Sequence, residues 1–361
     1  MSNFFDPGIR NKPDFVECMK RIYAWYDHQV LDRAPVRFSA HNADYAVEGE
    51  TGRWANLKQR WYDVEYQVEK FKRSVERSSY LGETFPVFFP NLGPNVFAGM
   101  LGAHLEFGDV TSWCLPMISG QNELDRVTFD WQSEYLRKIN ELTDVALEMG
   151  NGLFLTGYTD MHPGLDCADA LLGTENLFMN IFEAPDFVNE LIKRVSIPFY
   201  EVMDAFHKKL KAHHQLSVTW MQIPSYETLH IPSCDLGAMI SRKMFDEFAL
   251  PEIQEEVKHF THNIFHVDGK DVAKHLDALL DIPQIQAYQW VQGVGLDKPI
   301  LQWVRLIKRI QAAGKSVVVD LAREELEAFM EAVRPEGILL CIDEPDRDAQ
   351  QAIITKLLSW K

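Results

Sequence analysis

The chain has 361 residues, with 53 Asp and Glu against 36 Lys and Arg and a formal net charge of −17 at pH 7. That balance excludes a reader of duplex nucleic acid or a binder of anionic membranes, which need a basic face, whereas the basic residues here are scattered in pairs such as Lys208-Lys209 and Lys308-Arg309. With 46% hydrophobic and 25% charged residues the chain can bury a large core, which excludes intrinsic disorder.

Short β-rich runs predict strands at 36–39 and 86–89, within an N-terminal stretch that is otherwise helical in spacing. A helix is predicted over 131–149, where Tyr135, Ile139, Leu142, Ala146 and Met149 share one stripe. A strand over 152–158 follows, and then a long helix over 185–210, whose Phe187, Leu191, Val195, Phe199 and Met203 repeat the pattern. Pro185-Asp186 suits its start, and Pro198 inside it predicts a kink or a split. From 216 onward strand and helix alternate regularly. Strands are predicted at 216–221, 263–267, 284–290, 315–321 and 337–342, with helices over 242–260, 270–280, 299–313, 323–333 and 346–358. Runs such as SVVVDL and GILLCI are apolar without alternation, as in parallel strands buried on both faces.

Eight strands with intervening helices, and no Pro/Gly/Ser-rich linker between halves, predict an α/β fold: a single (β/α)8 TIM-type barrel with an N-terminal helical elaboration. Residues 1–84 make that elaboration and include the first barrel strand, and residues 85–361 make the rest of the barrel. Five cysteines at wide spacing, with no CxxC pair, point to a reducing compartment. The N-terminus MSNFFDPGIRNKPDF lacks the regions of a signal peptide, and no apolar run approaches the ~18 residues that span a bilayer. A soluble, cytoplasmic protein is expected.

In such a barrel the reactive groups follow the C-terminal ends of the strands. Those positions hold His41 and Asn42, Asn91, Tyr158, Asp160 and His162, Gln222, His266 and Asp268, Gln292, Asp320, and Cys341, Asp343 and Glu344. In NIFHVDG, His266 and Asp268 stand at i and i+2 of a strand and project to one face, as two metal ligands or as a structural ion pair. Cys341 ends the strand GILLCI, either as a thiolate that completes a His/Asp/Cys zinc set with an open fourth position or as a small buried hydrophobe. Asp160 and His162 after GLFLTGY form an acid/base pair or cap the next helix. Asp235, in HIPSCDLG, reaches the mouth as a further catalytic candidate or simply forms its loop. His41, Asn91, Tyr158, Trp220 and Trp290 are candidates for the substrate wall, with layer packing the alternative for the tryptophans.

The segments GLFLTGYTDMHPG, IFEAPDFVNELIKRV, SCDLGAMISRKMFDEFALPEIQEEV, NIFHVDGKDVAKHLDALLDIP, GKSVVVDLAREELEAFMEAV and EGILLCID, taken in order, resemble the uroporphyrinogen decarboxylase superfamily over residues 85–361. The resemblance implies a (β/α)8 barrel and one of two chemistries. The decarboxylase branch carries arginines in a Met-Arg-Gln-Ala-Gly context. DRAPVRFSAHNADY keeps Arg33 and Arg37 without that motif, so a porphyrinogen is a poor fit. The second branch, typified by methylcobamide:coenzyme M methyltransferases and related corrinoid-dependent demethylating methyltransferases, binds zinc through a His-x-Cys pair and a distant Cys. Here His266 matches the histidine, Cys341 the distant cysteine, and Asp268 stands where the first cysteine would be. The implied activity is metal-assisted methyl transfer from a small methylated donor to a corrinoid held on a separate protein, because no Asp-x-His-x-x-Gly segment is present in this chain. The partners expected are therefore a small-molecule substrate, a corrinoid protein and, through self-association, a second copy of the chain. A metal-independent decarboxylase or lyase and a non-catalytic ligand-binding barrel are the competing readings.

Overall fold

The computed structural model describes residues 4–38, 52–78 and 80–360. Among the described residues there are ten strands: β1 (Val36–Phe38), β2 (Val87–Phe88), β3 (His104–Phe107), β4 (Ser112–Leu115), β5 (Leu155–Thr156), β6 (Leu229–His230), β7 (His262–Asp268), β8 (Ala287–Val291), β9 (Ser316–Leu321) and β10 (Ile338–Ile342). Six of them form one parallel sheet in the order β1-β10-β9-β8-β7-β6, β2 and β5 form a separate parallel pair, and β3 and β4 form an antiparallel hairpin. The fold is thus mixed α/β with a curled six-stranded parallel sheet. At the two gaps between the sheet and the pair, Glu83 N, ahead of β2, donates to Val36 O of β1, and Tyr158 N, just after β5, donates to Val218 O, which lies in no strand.

Seven of the eight predicted strand positions carry a strand. The exception is 216–221, where the backbone turns back on itself through an isolated Ser217–Ser225 bridge, with Gln222 in the left-handed region at φ 57°. The strand that neighbours β7 is β6 instead, two residues just ahead of Pro232 and too short to show a period. The β3–β4 hairpin, inside a stretch read as helical, was also unpredicted.

The apolar runs divide between the two faces of the sheet as period-two geometry requires. On one face Val87, Leu155, Ile264, Ala287, Val318, Leu339 and Cys341 share a cluster with Phe15, Met19, Ile22 and Trp25 of the helix Phe15–Tyr26. On the other, Phe265, Tyr288, Trp290, Val317, Val319, Leu340 and Ile342 pack against the surrounding helices. The helix Pro185–Ala212 starts with proline in its first turn, as predicted, and runs through Pro198 without a break. In the predicted 242–260 helix, a π-helical turn at Phe245–Ala249 precedes Leu250–Glu256. It lies just ahead of Pro251, which has no N–H to give to an α-helical ladder. Among the described residues no helix is long and apolar enough to cross a membrane.

Candidate metal and acid–base site

Strand β7 alternates Phe265 and Val267 toward the helices with Ile264, His266 and Asp268 toward the opposite face, so the last two arrive together at its C-terminal end. Asp235 meets them there, on the turn after β6. One ligand atom from each of Asp235, His266 and Asp268 lies within 4.8 Å of the others. Gln289, the register partner of His266 on β8, places Oε1 2.6 Å from His266 Nδ1. That contact orients the imidazole and occupies Nδ1, so that Nε2 is the ring nitrogen left for a ligand. The Trp220 indole stands edge-on to the same imidazole, with ring centroids 5.5 Å apart.

A hydrogen-bonded chain runs from this group to the second predicted pair. Asp166, in the first turn of the helix Gly164–Leu172, accepts from the backbone N of Asp235 at 2.8 Å and of Leu236 at 3.0 Å, and from Ser233 Oγ at 3.3 Å. Ser233 Oγ lies 3.1 Å from His162 Nδ1, and His162 Nε2 lies 2.8 Å from Asp160 Oδ2. Neither Asp160 nor His162 caps the helix that follows, which has Pro163 at its N-cap and no side-chain cap, so the capping alternative is removed. Burial opposes charge on His162, but Asp160, by its charge and hydrogen bond, with Asp166 and Asp235 raises its pKa to about 9. Burial likewise pushes Asp160 up, and His162 more than reverses this, holding the carboxyl below its ordinary range. Asp235 is shifted upward, by burial first and then by Asp166 and Asp268, with His266 and His162 opposing. Crowded carboxylates of this kind are relieved by a bound cation. The donor set, one imidazole with a defined free nitrogen and two carboxylates, fits a divalent metal ion.

Cys341 does not join this group. It sits on β10, with β8 and β9 between it and β7, so three interstrand steps of about 4.8 Å separate the two strands. Its thiol is buried and pushed up to about 12, by desolvation first, next to Arg37 and Asp320. The expected His266/Asp268/Cys341 set is therefore not brought together, and the three residues that do meet are Asp235, His266 and Asp268. Sequence spacing gives which residues end strands but not how far round the sheet those ends stand.

The predicted substrate wall is corrected in two places. Tyr158 is 1% exposed and donates its hydroxyl to Leu229 O at 2.7 Å, and Trp290 is fully buried against Trp303, with ring centroids 4.9 Å apart. Both occupy the alternation positions that face the helices. Asn91 lines a 370 Å³ cavity with Phe88 and Lys70, its Oδ1 accepting from Gly93 N at 2.7 Å. Trp220 faces His266 of the Asp235/His266/Asp268 group, and His41 lies outside the described residues. Asp166, Ser233 and Gln289 were not predicted. For Asp166 the available signal was an acid in the first turn of a helix directly after a post-strand polar cluster.

A cavity of 210 Å³ adjoins His162, Asp166 and Asp235, and a larger one of 760 Å³ opens over the ends of β8, β9 and β10. Neither a protein-family model nor a curated protein matches the chain. Among solved structures it is similar to a methyltransferase from Methanosarcina mazei, with a TM-score of 0.59 over 94% of this chain and 97% of that one, at 10% sequence identity. At that identity the likeness is one of fold.

Proposed function

We propose that the chain is a methyltransferase-type enzyme on a (β/α)8 barrel, which removes a methyl group from a small oxygen-, nitrogen- or sulfur-bound donor and delivers it to a corrinoid on a separate protein. The observation that carries the reading is the Asp235/His266/Asp268 group, with its imidazole oriented by Gln289 and a cationic His162 one hydrogen-bonded chain away. The fold shared with a methyltransferase supports it. In the barrel proposed, the β2–β5 pair completes the circuit through the segments at Glu83 and Val218.

Asp235, His266 and Asp268 would hold the metal, zinc in the first instance, although two carboxylates and no thiolate also suit Mn²⁺ or Fe²⁺. A divalent ion bound there supplies Lewis-acid activation of the donor heteroatom. His162, through the Ser233 hydroxyl at its Nδ1, would supply the proton that the heteroatom needs as its bond to carbon breaks, Asp160 keeps the imidazole charged and oriented, and Trp220 packs edge-on against His266. A polycarboxylate substrate is disfavoured, because Arg33 is consumed by a buried two-bond pair with Glu83, at 2.7 and 2.9 Å.

Metal analysis of the purified protein tests this reading. About one divalent ion per chain is expected, with His266→Ala and Asp235→Asn removing it and Cys341→Ala retaining it. An absence of bound metal in a metal-supplemented preparation, or its loss only in Cys341→Ala, overturns the assignment. Screening methylated donors with cob(I)alamin as acceptor then tests the transfer itself.

A further inference from the structure

We propose that the 760 Å³ cavity over the ends of β8, β9 and β10 is a binding site for a small molecule that carries a protonated amine, held by Gln292 and Asp320. Gln292, the residue after β8, is 7% exposed and lines this cavity. Its side-chain nitrogen donates to Lys298 O at 3.0 Å and to Asp320 O at 2.8 Å. Both partners are carbonyls that can only accept, so the amide cannot be turned round, and Oε1 is fixed as the remaining acceptor. That oxygen is buried and receives no hydrogen bond. A buried acceptor without a donor is a standing cost that a ligand N–H removes.

The charge around it selects the kind of donor. Asp320, near the end of β9, contributes its carboxylate to the same cavity, with Arg37 facing it from β1. Five Asp and Glu residues line the cavity against Lys298 and Arg323, and Arg323 is already bonded to Glu344 at 2.8 Å. A ligand carboxylate would meet net repulsion. A quaternary ammonium would satisfy the charge and leave Gln292 unpaired, whereas a protonated amine satisfies both. Leu321 and Pro299 offer apolar surface for the body of the ligand. The cavity volume is that of an ordinary small-molecule site. The proposal does not rest on the metal reading, because the metal group belongs to β7 and the turn after β6.

The test is titration of the full chain, both chelator-treated and metal-loaded, with phenethylammonium, its N,N,N-trimethyl analogue and 3-phenylpropionate, followed by calorimetry and ligand-observed NMR. Phenethylammonium should bind more tightly than the other two in either metal state, and Gln292→Leu and Asp320→Asn should each weaken it about tenfold or more. Equal binding of the trimethyl analogue, preference for the carboxylate, or no saturable binding of any of the three overturns the proposal. Should Gln292→Leu fail to fold, Asp320→Asn and the ligand ranking on the unmodified protein still decide. Absence of metal with the amine ranking intact would overturn the metal assignment alone.

Discussion

Burial works against charge on His162, yet Asp160, Asp166 and Asp235 outweigh it and place the imidazole pKa at about 9, above its ordinary 6.5. A raised pKa means that the folded state binds the proton more tightly. The contribution to stability is therefore complete below about pH 6.5 and disappears as pH rises through about 9. Turnover that uses the cationic imidazole should fall over the same upper limb. In His162→Gln activity should drop by about 10²-fold or more and the alkaline limb should vanish, which a pH–rate profile of both proteins would reveal. A profile unchanged by the substitution would remove His162 from the chemistry. Deeper in the fold, His230 Nε2 and Glu256 Oε1 are 2.5 Å apart, both buried. Burial pushes the His230 pKa down and that of Glu256 up, which favours the neutral pair, with the carboxyl O–H donating to the imidazole. An amide can make the same bond. Glu256→Gln should leave the melting temperature nearly unchanged at pH 4, where folded and unfolded chains both keep the proton, and raise it progressively above the ordinary carboxylate pKa of 4.5 to a full difference by pH 8, because the buried native carboxyl retains a proton that the unfolded chain has released. Glu256→Ala should cost about 1–3 kcal/mol, by stranding His230. Thermal melts at the two pH values distinguish these outcomes, and a loss in Glu256→Gln at high pH would show the native pair to be ionic.

Among the elements, the helix Pro185–Ala212 carries an internal proline that the packing tolerates. Pro198 is half-buried, between the buried Val195 and Phe199, and the helix continues past it although residue 198 has no N–H for the carbonyl of Arg194. Restoring that bond recovers about 3 kcal/mol, less about 1 kcal/mol for the freer unfolded chain, so Pro198→Ala should stabilise the protein by about 2 kcal/mol. The midpoint of urea unfolding should rise. A fall would mean that the packing around Pro198 is fitted to the proline ring. Strand β7 shows the reverse relation between sequence and element: its seven residues are long enough for alternation to put His266 and Asp268 on one face, and this was readable from NIFHVDG. Strands β2, β5 and β6 have two residues each, and no periodicity exists in two residues.

For the molecule as a whole, the N-terminal helix Phe15–Tyr26 lies at the end of the sheet opposite the candidate site. Trp25 Nε1 donates to Gly337 O at 2.9 Å, just before β10, and Ser316 Oγ, at the start of β9, donates to Trp25 O at 2.5 Å. Trp25 is fully buried in the cluster that fills this face of the sheet. Trp25→Ala should cost about 3–5 kcal/mol through lost burial and a residual cavity, while metal content per folded chain stays the same. Denaturant titration and metal analysis on one preparation check both halves, and coupled loss of metal would show that the packing at this end controls the site. The sequence by itself determined the α/β alternation, the parallel apolar strands β7 to β10 and the polar residues that follow strands β5 and β7, because strand period, apolar runs and turn residues are local properties of the chain. Tertiary structure alone decided which of those residues meet. Asp235 rather than Cys341 completes the group with His266 and Asp268, because position around a curled sheet depends on strand order and interstrand spacing, and neither is written in any local stretch. The same reason hid Gln289, which reaches His266 only across a strand pair, and Asp166, which holds the Asp235 turn from a different helix.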